Sequence, residues 1–172
     1  MDRIRDDTAA LAERIAAICK EGFVVFDGCY DAGKTYTMRE VAKRIRCETV
    51  DMDAFLHRSR GMFVAALKLE ELAAAVREAK KRSPLVLVSG VCARDVMQRI
   101  GITEAVFAYI QRITPTGIPG DGRAYLADKT GISEFGKILP DQAGALDGEV
   151  EIYHANFRPI RTADIVYQRT SD

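Results

Sequence analysis

Eight consecutive residues, Gly28-Cys29-Tyr30-Asp31-Ala32-Gly33-Lys34-Thr35, carry the clearest chemical pattern in this chain of 172 residues. They fit Gly-x-x-x-x-Gly-Lys-Thr. The two glycines let the backbone curl so that several N–H groups face phosphate oxygens. A helix starting at the loop adds its first amides and the positive end of its dipole. Lys34 can reach β- and γ-phosphates, and the Thr35 hydroxyl can ligate magnesium. Gly28, Cys29, Tyr30, Asp31, Ala32, Gly33, Lys34, Thr35 and Tyr36 are therefore the expected nucleotide-binding segment, with ATP and Mg2+ as its ligands. The bland alternative is an ordinary strand-to-helix turn with a solvated lysine. An apolar strand before the loop and a helical pattern after it favour the phosphate reading.

A second pair of groups follows in Val50-Asp51-Met52-Asp53-Ala54-Phe55. A carboxylate at the carboxyl end of a strand can take a proton from a hydroxyl or order a magnesium-bound water. Asp53 is read as a functional carboxylate, open to either task. Asp51 is either a metal-water ligand or the cap of the next helix.

Cations that could meet a migrating phosphoryl group are Arg94, Arg99, Arg112, Arg123, Lys129 and Arg158. Arginine stabilises charge on such a group. Most surface arginines are simply solvated. Arg112 and Arg123 are favoured because they flank or sit within a segment that reads as a lid. Cys29 reads as a small loop filler rather than a reactive thiolate, and His154 as a packing residue of the last helix. His57 reads as structural or solvated; Phe55, Phe63 and Tyr30 could stack on a base or sugar but read as core.

These groups need a scaffold, and the hydrophobic pattern supplies one. Ile4, Leu11, Ile15 and Ile18 predict an amphipathic helix over 3–20. Phe23 to Phe26 is an apolar strand, followed by a helix through Met38, Val41, Ala42 and Ile45. Glu48 to Asp51 is a short strand. Leu69 to Ala79 stripes a long helix that ends in Lys80-Lys81-Arg82, where cations suit the dipole. Leu85 to Val88 is a third strand, residues 92–99 a short helix, and Ala105 to Ile110 a fourth strand. Glu149 to Phe157 reads as helix and Ala163 to Tyr167 as the last strand. Thr114 to Gly148 holds three of five prolines and seven of thirteen glycines, so it reads as a long loop with a small helix. Short strands apolar on both faces, alternating with helices, predict a parallel sheet covered on both sides.

Composition narrows the class. The chain is 48% hydrophobic, enough for a real core in one domain spanning 1–172. It has 25 basic and 25 acidic residues. That balance argues against a general electrostatic grip on nucleic acid or an anionic membrane. The charged N-terminal stretch is unlike a secretory signal. Cys19, Cys29, Cys47 and Cys92 lack a CxxC spacing, which disfavours zinc and disulfides and suits a reducing cytoplasm. The sequence leaves a homodimer open.

Gly28 to Thr35, Met52-Asp53-Ala54-Phe55, and the strand running into Ser89-Gly90-Val91 resemble the uridine kinase-like branch of the P-loop small-molecule kinases. The tail Tyr153-His154-Ala155-Asn156-Phe157-Arg158-Pro159-Ile160, followed by Ala163-Asp164-Ile165-Val166, resembles that family's closing helix and strand. The resemblance implies a three-layer α/β sandwich with a parallel five-stranded sheet in the order 2-3-1-4-5, and a lid-like segment at about 112–148. It implies ATP-dependent phosphoryl transfer to a hydroxyl of a small molecule, with Asp53 as the base and a nucleotide and an acceptor as partners. Two features depart from the pattern: Ser89 stands where the family often carries an acid, and the lid candidate lacks a dense arginine motif. They support a second reading, a non-catalytic or regulatory ATP-binding protein. A GTPase is disfavoured because no Asn-Lys-x-Asp segment occurs.

Overall fold

The computed structural model describes residues 2–57, 62–134 and 145–170. Its elements in chain order are β1 (Asp2–Arg5), α1 (Thr8–Ile18), β2 (Gly22–Asp27), α2 (Lys34–Ile45) and β3 (Glu48–Asp51). A short 3-10 turn (Met52–Phe55) follows, then α3 (Phe63–Ala66), α4 (Leu69–Arg82), β4 (Leu85–Ser89) and α5 (Ala93–Arg99). β5 (Val106–Ile113), α6 (Gly122–Thr130), α7 (Ala145–Phe157) and β6 (Ile165–Thr170) complete the chain.

The strands form one sheet in the order β1-β6-β5-β2-β4-β3, and every pairing is parallel. The α/β class and the parallel sheet agree with expectation. The strand count and the order do not: there are six strands rather than five, because Asp2–Arg5 adds an edge strand beside β6. The five expected strands keep their mutual neighbours, and β2 lies between β4 and β5.

Residues 3–20 are thus not one helix. Ile4 lies seven residues before Leu11, a spacing that fits a helix but is equally met by a strand followed by a turn. Asp6 has a left-handed φ of 48°, which breaks the chain, and the Asp7 carboxylate accepts from Ala10 N at 2.9 Å to cap α1. The short, charged sequence of β1 suits an edge.

Two apolar layers cover the sheet. Alternation along each strand decides which face a residue serves. Val24, Phe26, Leu85, Leu87, Ala108 and Ile110 pack with Leu11, Ile15, Met38 and Val41 of α1 and α2. Val25, Val86 and Val88 pack with Leu72 and Val76 of α4, Val96 of α5 and Tyr153 of α7. Val24, Val25 and Phe26 are completely buried, as a central strand requires. Each such side chain contributes about 1.5–3 kcal/mol.

The register aligns the carboxyl ends of three neighbouring strands: Phe26 stands beside Ser89, and Ser89 beside Asp51. The expected lid segment is shorter than predicted, since β5 continues through Ile113 and α7 starts at Ala145. Between them lie a turn closed by the Ile113–Pro119 bridge and helix α6. Residues 135–144 of that segment lie outside the described residues. Among the described residues no helix is long and apolar enough to cross a membrane.

Candidate functional site

The loop after β2 has the backbone of a phosphate cradle. Gly28 has φ 151° and runs so close to β5 that a Cβ there would meet Ile110 O at 2.5 Å. Asp31 is left-handed at φ 58°, and Gly33 at 83° caps α2. Among the described residues, no side chain bonds the first amides of α2 at this cap. The sequence folds this way because left-handed turns favour glycine and aspartate, and because Lys34 opens a good helical run. The Lys34 side chain is buried and its ammonium donates to Cys29 O at 2.6 Å. Burial pulls it below the usual lysine range, while the nearby carboxylate of Asp27 pushes back most, with smaller help from Asp53 and Asp51.

On one flank of the loop, Thr35 Oγ1 lies 3.3 Å from Ser89 Oγ. The Ser89 hydroxyl lies 3.3 Å from Asp51 Oδ1, to which it donates. Asp51 Oδ1 also accepts from Asp53 N at 3.2 Å, and its Oδ2 lies 3.9 Å from Arg39 Nη2. Asp51 thus caps the 3-10 turn, and the Ser89 hydroxyl lies between it and Thr35. Desolvation raises the Asp53 carboxyl above the usual range, and the Asp51 charge adds to it; Lys34 opposes both. A carboxylate made more basic in this way is better suited to take a proton. The Ser89 side chain is fully buried, so the departure at position 89 is a hydroxyl bridge between two neighbouring strands.

The other flank is built by α6 and α7. A cleft of about 260 Å³ is lined by Cys29, Tyr30, Asp121, Arg123, Asp147 and Glu151, among others. Arg123 thereby lines one cleft with Cys29 and Tyr30 of the loop. The Tyr30 hydroxyl donates to Asp147, a bond that pushes its pKa up to about 12. Arg112 does not line this cleft. It belongs to β5, is exposed, and packs its side chain against Gly120 of the following turn. Tyr36 is exposed and faces the guanidinium of Arg169 at 5.1 Å. Arg169 itself covers Gly33 so closely that a Cβ there would lie 1.6 Å from its Nη1.

Cys29 is a buried filler, and burial drives its thiol far above the usual range. Its sulfur lies 3.7 Å from Tyr109 Oη. Behind it, His154 Nδ1 meets Val150 O at 2.7 Å and Nε2 meets Tyr109 Oη at 2.8 Å. A carbonyl only accepts, so Nδ1 carries the proton and Tyr109 donates to Nε2. His154 packs the last helix onto the sheet, as expected.

Among the other cations, Arg94 stacks on Phe107 and bonds Thr162 O. Arg99 pairs with Asp95, and Arg158 bonds Thr130 O. None of these bonds is to the loop. Asp27 escaped the sequence reading. It is 1% exposed, directly precedes Gly28, and accepts from Gly28 N at 2.8 Å. A polar residue ending an otherwise apolar strand was the available signal.

Among the described residues, no group of three or more histidine, cysteine or acidic side chains could hold a metal by itself. The donor set instead suits a magnesium ion shared with phosphate oxygens, with Thr35 and Asp51 on the protein side.

No protein-family model and no curated protein sequence matches this chain. Among solved structures, it is similar to one described as a possible uridine kinase from Bacillus stearothermophilus. Identity is 16% over 93% of this chain and 96% of that one, with a TM-score of 0.56. A shikimate kinase from Acinetobacter baumannii in complex with shikimate aligns at 15% identity over 94% and 88% of the two chains, with a TM-score of 0.43. The first likeness is one of fold.

Proposed function

We propose that this chain is an ATP-dependent phosphotransferase acting on a hydroxyl of a small molecule. The observation that carries the reading is the convergence of Lys34, Thr35, Ser89, Asp51 and Asp53 at the ends of β2, β4 and β3. Bound MgATP supplies the phosphoryl group. The loop amides from Gly28 to Tyr36 and the Lys34 ammonium hold its phosphates. Thr35, linked to Asp51 through the Ser89 hydroxyl, would hold the magnesium. Asp53 orients the acceptor hydroxyl and takes its proton, and Arg123 offsets negative charge on the outer phosphate oxygens. Bringing acceptor and phosphate together in one cleft supplies the rest of the rate.

Nucleosides head the list of acceptors, on the resemblance to uridine kinases. The test is a product screen. ATP and magnesium are incubated with nucleosides, sugars and vitamin alcohols, and phosphorylated species are sought by mass. A new product that requires both ATP and the chain establishes the reading. ATP binding with no product from a broad panel turns it into the regulatory reading that Ser89 supports.

A further inference from the structure

The carboxylate beneath the loop is tied to a helix that the phosphate motif does not include. Asp27 Oδ1 accepts from Gly28 N at 2.8 Å and from Ala93 N, the first residue of α5, at 3.4 Å. Asp27 Oδ2 accepts from the hydroxyl of Tyr153 in α7. The direction of that last bond is fixed. Arg94 N donates to Tyr153 Oη at 3.2 Å, which leaves the phenol proton for Asp27. Asp27 and Tyr153 are 1% and 4% exposed. A buried carboxylate is costly unless its oxygens are hydrogen-bonded, and here both are.

We propose that Asp27 and Tyr153 are a positioning pair for phosphate binding. The Tyr153 hydroxyl fixes the Asp27 carboxylate, and that carboxylate fixes the first amide of the loop and the start of α5. Neither residue is free to meet substrate, because the oxygens of Asp27 and the hydroxyl of Tyr153 are already engaged. They act through others. Gly28 is the pivot from which the loop curls, so its amide direction sets those that follow. Asp27 is also the foremost of the carboxylates that hold the proton on the buried Lys34. The pair thus serves both the direction of the cradle and the charge of its lysine. It also gives α7 a stake in the phosphate site. Tyr153 lines a groove of about 290 Å³ between α3, α5 and α7, with Val64, Cys92 and Glu149.

This inference rests on the reading of the loop as a nucleotide site. The test compares MgATP titrations of the wild type with those of Tyr153→Phe and Asp27→Asn, at a temperature where each is fully folded by circular dichroism. Tyr153→Phe keeps the ring against His154 and Phe157 and removes only the hydroxyl. Each variant should weaken MgATP about tenfold to a hundredfold, the range for losing a hydrogen bond to a charged group. The double variant should be no weaker than the worse single one, since the two act as a unit. Ser83→Ala supplies the comparison for plain destabilisation. It removes a buried bond from Ser83 Oγ to Leu85 O, 2.6 Å long, at the opposite end of β4. It should lower the melting temperature and keep MgATP affinity within about twofold.

If Tyr153→Phe melts earlier yet binds MgATP as the wild type does, the pair is structural only and the proposal fails. Should Tyr153→Phe not fold, Asp27→Asn decides alone. It keeps an oxygen for Gly28 N and loses the charge, and unchanged affinity overturns the proposal. A wild type that binds MgATP beside unaffected variants sinks this inference and leaves the functional reading standing. A wild type that does not bind MgATP sinks both.

Discussion

Gly90 and Met52 interlock. A Cβ on Gly90 would lie 2.2 Å from Met52 Sδ, 2.8 Å from its Cγ and 2.9 Å from its Cβ. Met52 is fully buried and opens the 3-10 turn that carries Asp53. The glycine after Ser89 is therefore the space into which that turn is seated. A methyl group at position 90 cannot be accommodated by swinging the thioether alone, because atoms next to the Met52 backbone are also too close. Gly90→Ala should destabilise the fold by about 1–3 kcal/mol, the usual cost of overpacking. It should reduce phosphoryl transfer more than MgATP affinity, because the Asp53 turn moves and the loop does not. Denaturant melts beside a transfer assay check this.

The buried Lys34 ammonium donates to Cys29 O, and in the proposed function it is the group that meets the nucleotide's phosphate oxygens. Lys34→Ala should weaken MgATP by about 2–5 kcal/mol, the cost of losing one partner of a desolvated charge contact. Calorimetric titration measures it, and equal affinity in wild type and variant contradicts the assignment.

How much of this was legible in the sequence follows physical lines. The loop and its flanking strand and helix depend on local pattern, and local pattern is written along the chain; the strand order does not, and is expected only from the resemblance. The link from Thr35 through Ser89 to Asp51 depends on the register between β3 and β4, which no local pattern specifies. Ser89 read alone is a missing acid; beside Asp51 it is a bridge. Arg112 is expected at the start of a lid; β5 runs three residues past Ile110, the expected strand end, so Arg112 belongs to the sheet. Asp27 and Tyr153 lie 126 residues apart, and only the packing of α7 brings them together.

The tie between Tyr30 and Asp147 has a spectroscopic signature. Its bond to the Asp147 carboxylate, with burial and the Asp147 and Asp121 charges behind it, raises the phenol from 10.0 to about 12. Asp147→Asn removes the acceptor charge, so Tyr30 should ionise at lower pH, back toward 10.0. Ultraviolet titration of wild type, Asp147→Asn and Tyr30→Phe isolates this one phenol. A Tyr30 titration unmoved by Asp147→Asn shows that the carboxylate is not its partner in solution.

Asp53 separates enzyme from binding module. Asp53→Asn keeps size and polarity and removes the proton acceptor. MgATP affinity should stay nearly constant, while transfer to the true acceptor should fall by about 10²–10⁴, the usual contribution of a positioned base. The raised pKa adds two pH signatures. Transfer needs the carboxylate, so the acid limb of its rate profile should lie above 3.8, the ordinary aspartate value, and vanish in Asp53→Asn. Stability runs the other way. A carboxyl raised in the folded state binds its proton there more tightly than in the unfolded chain. The wild type therefore loses stability as pH rises from 3.8 through the raised folded value, and holds the charged group at a cost above it. Asp53→Asn should accordingly melt higher than wild type at neutral pH, and the gap should close as pH falls through that window. Wild-type transfer rates in Asp53→Asn would remove Asp53 from the base role. A melting gap that widens toward low pH would show that the environment of Asp53 favours its charge instead of opposing it.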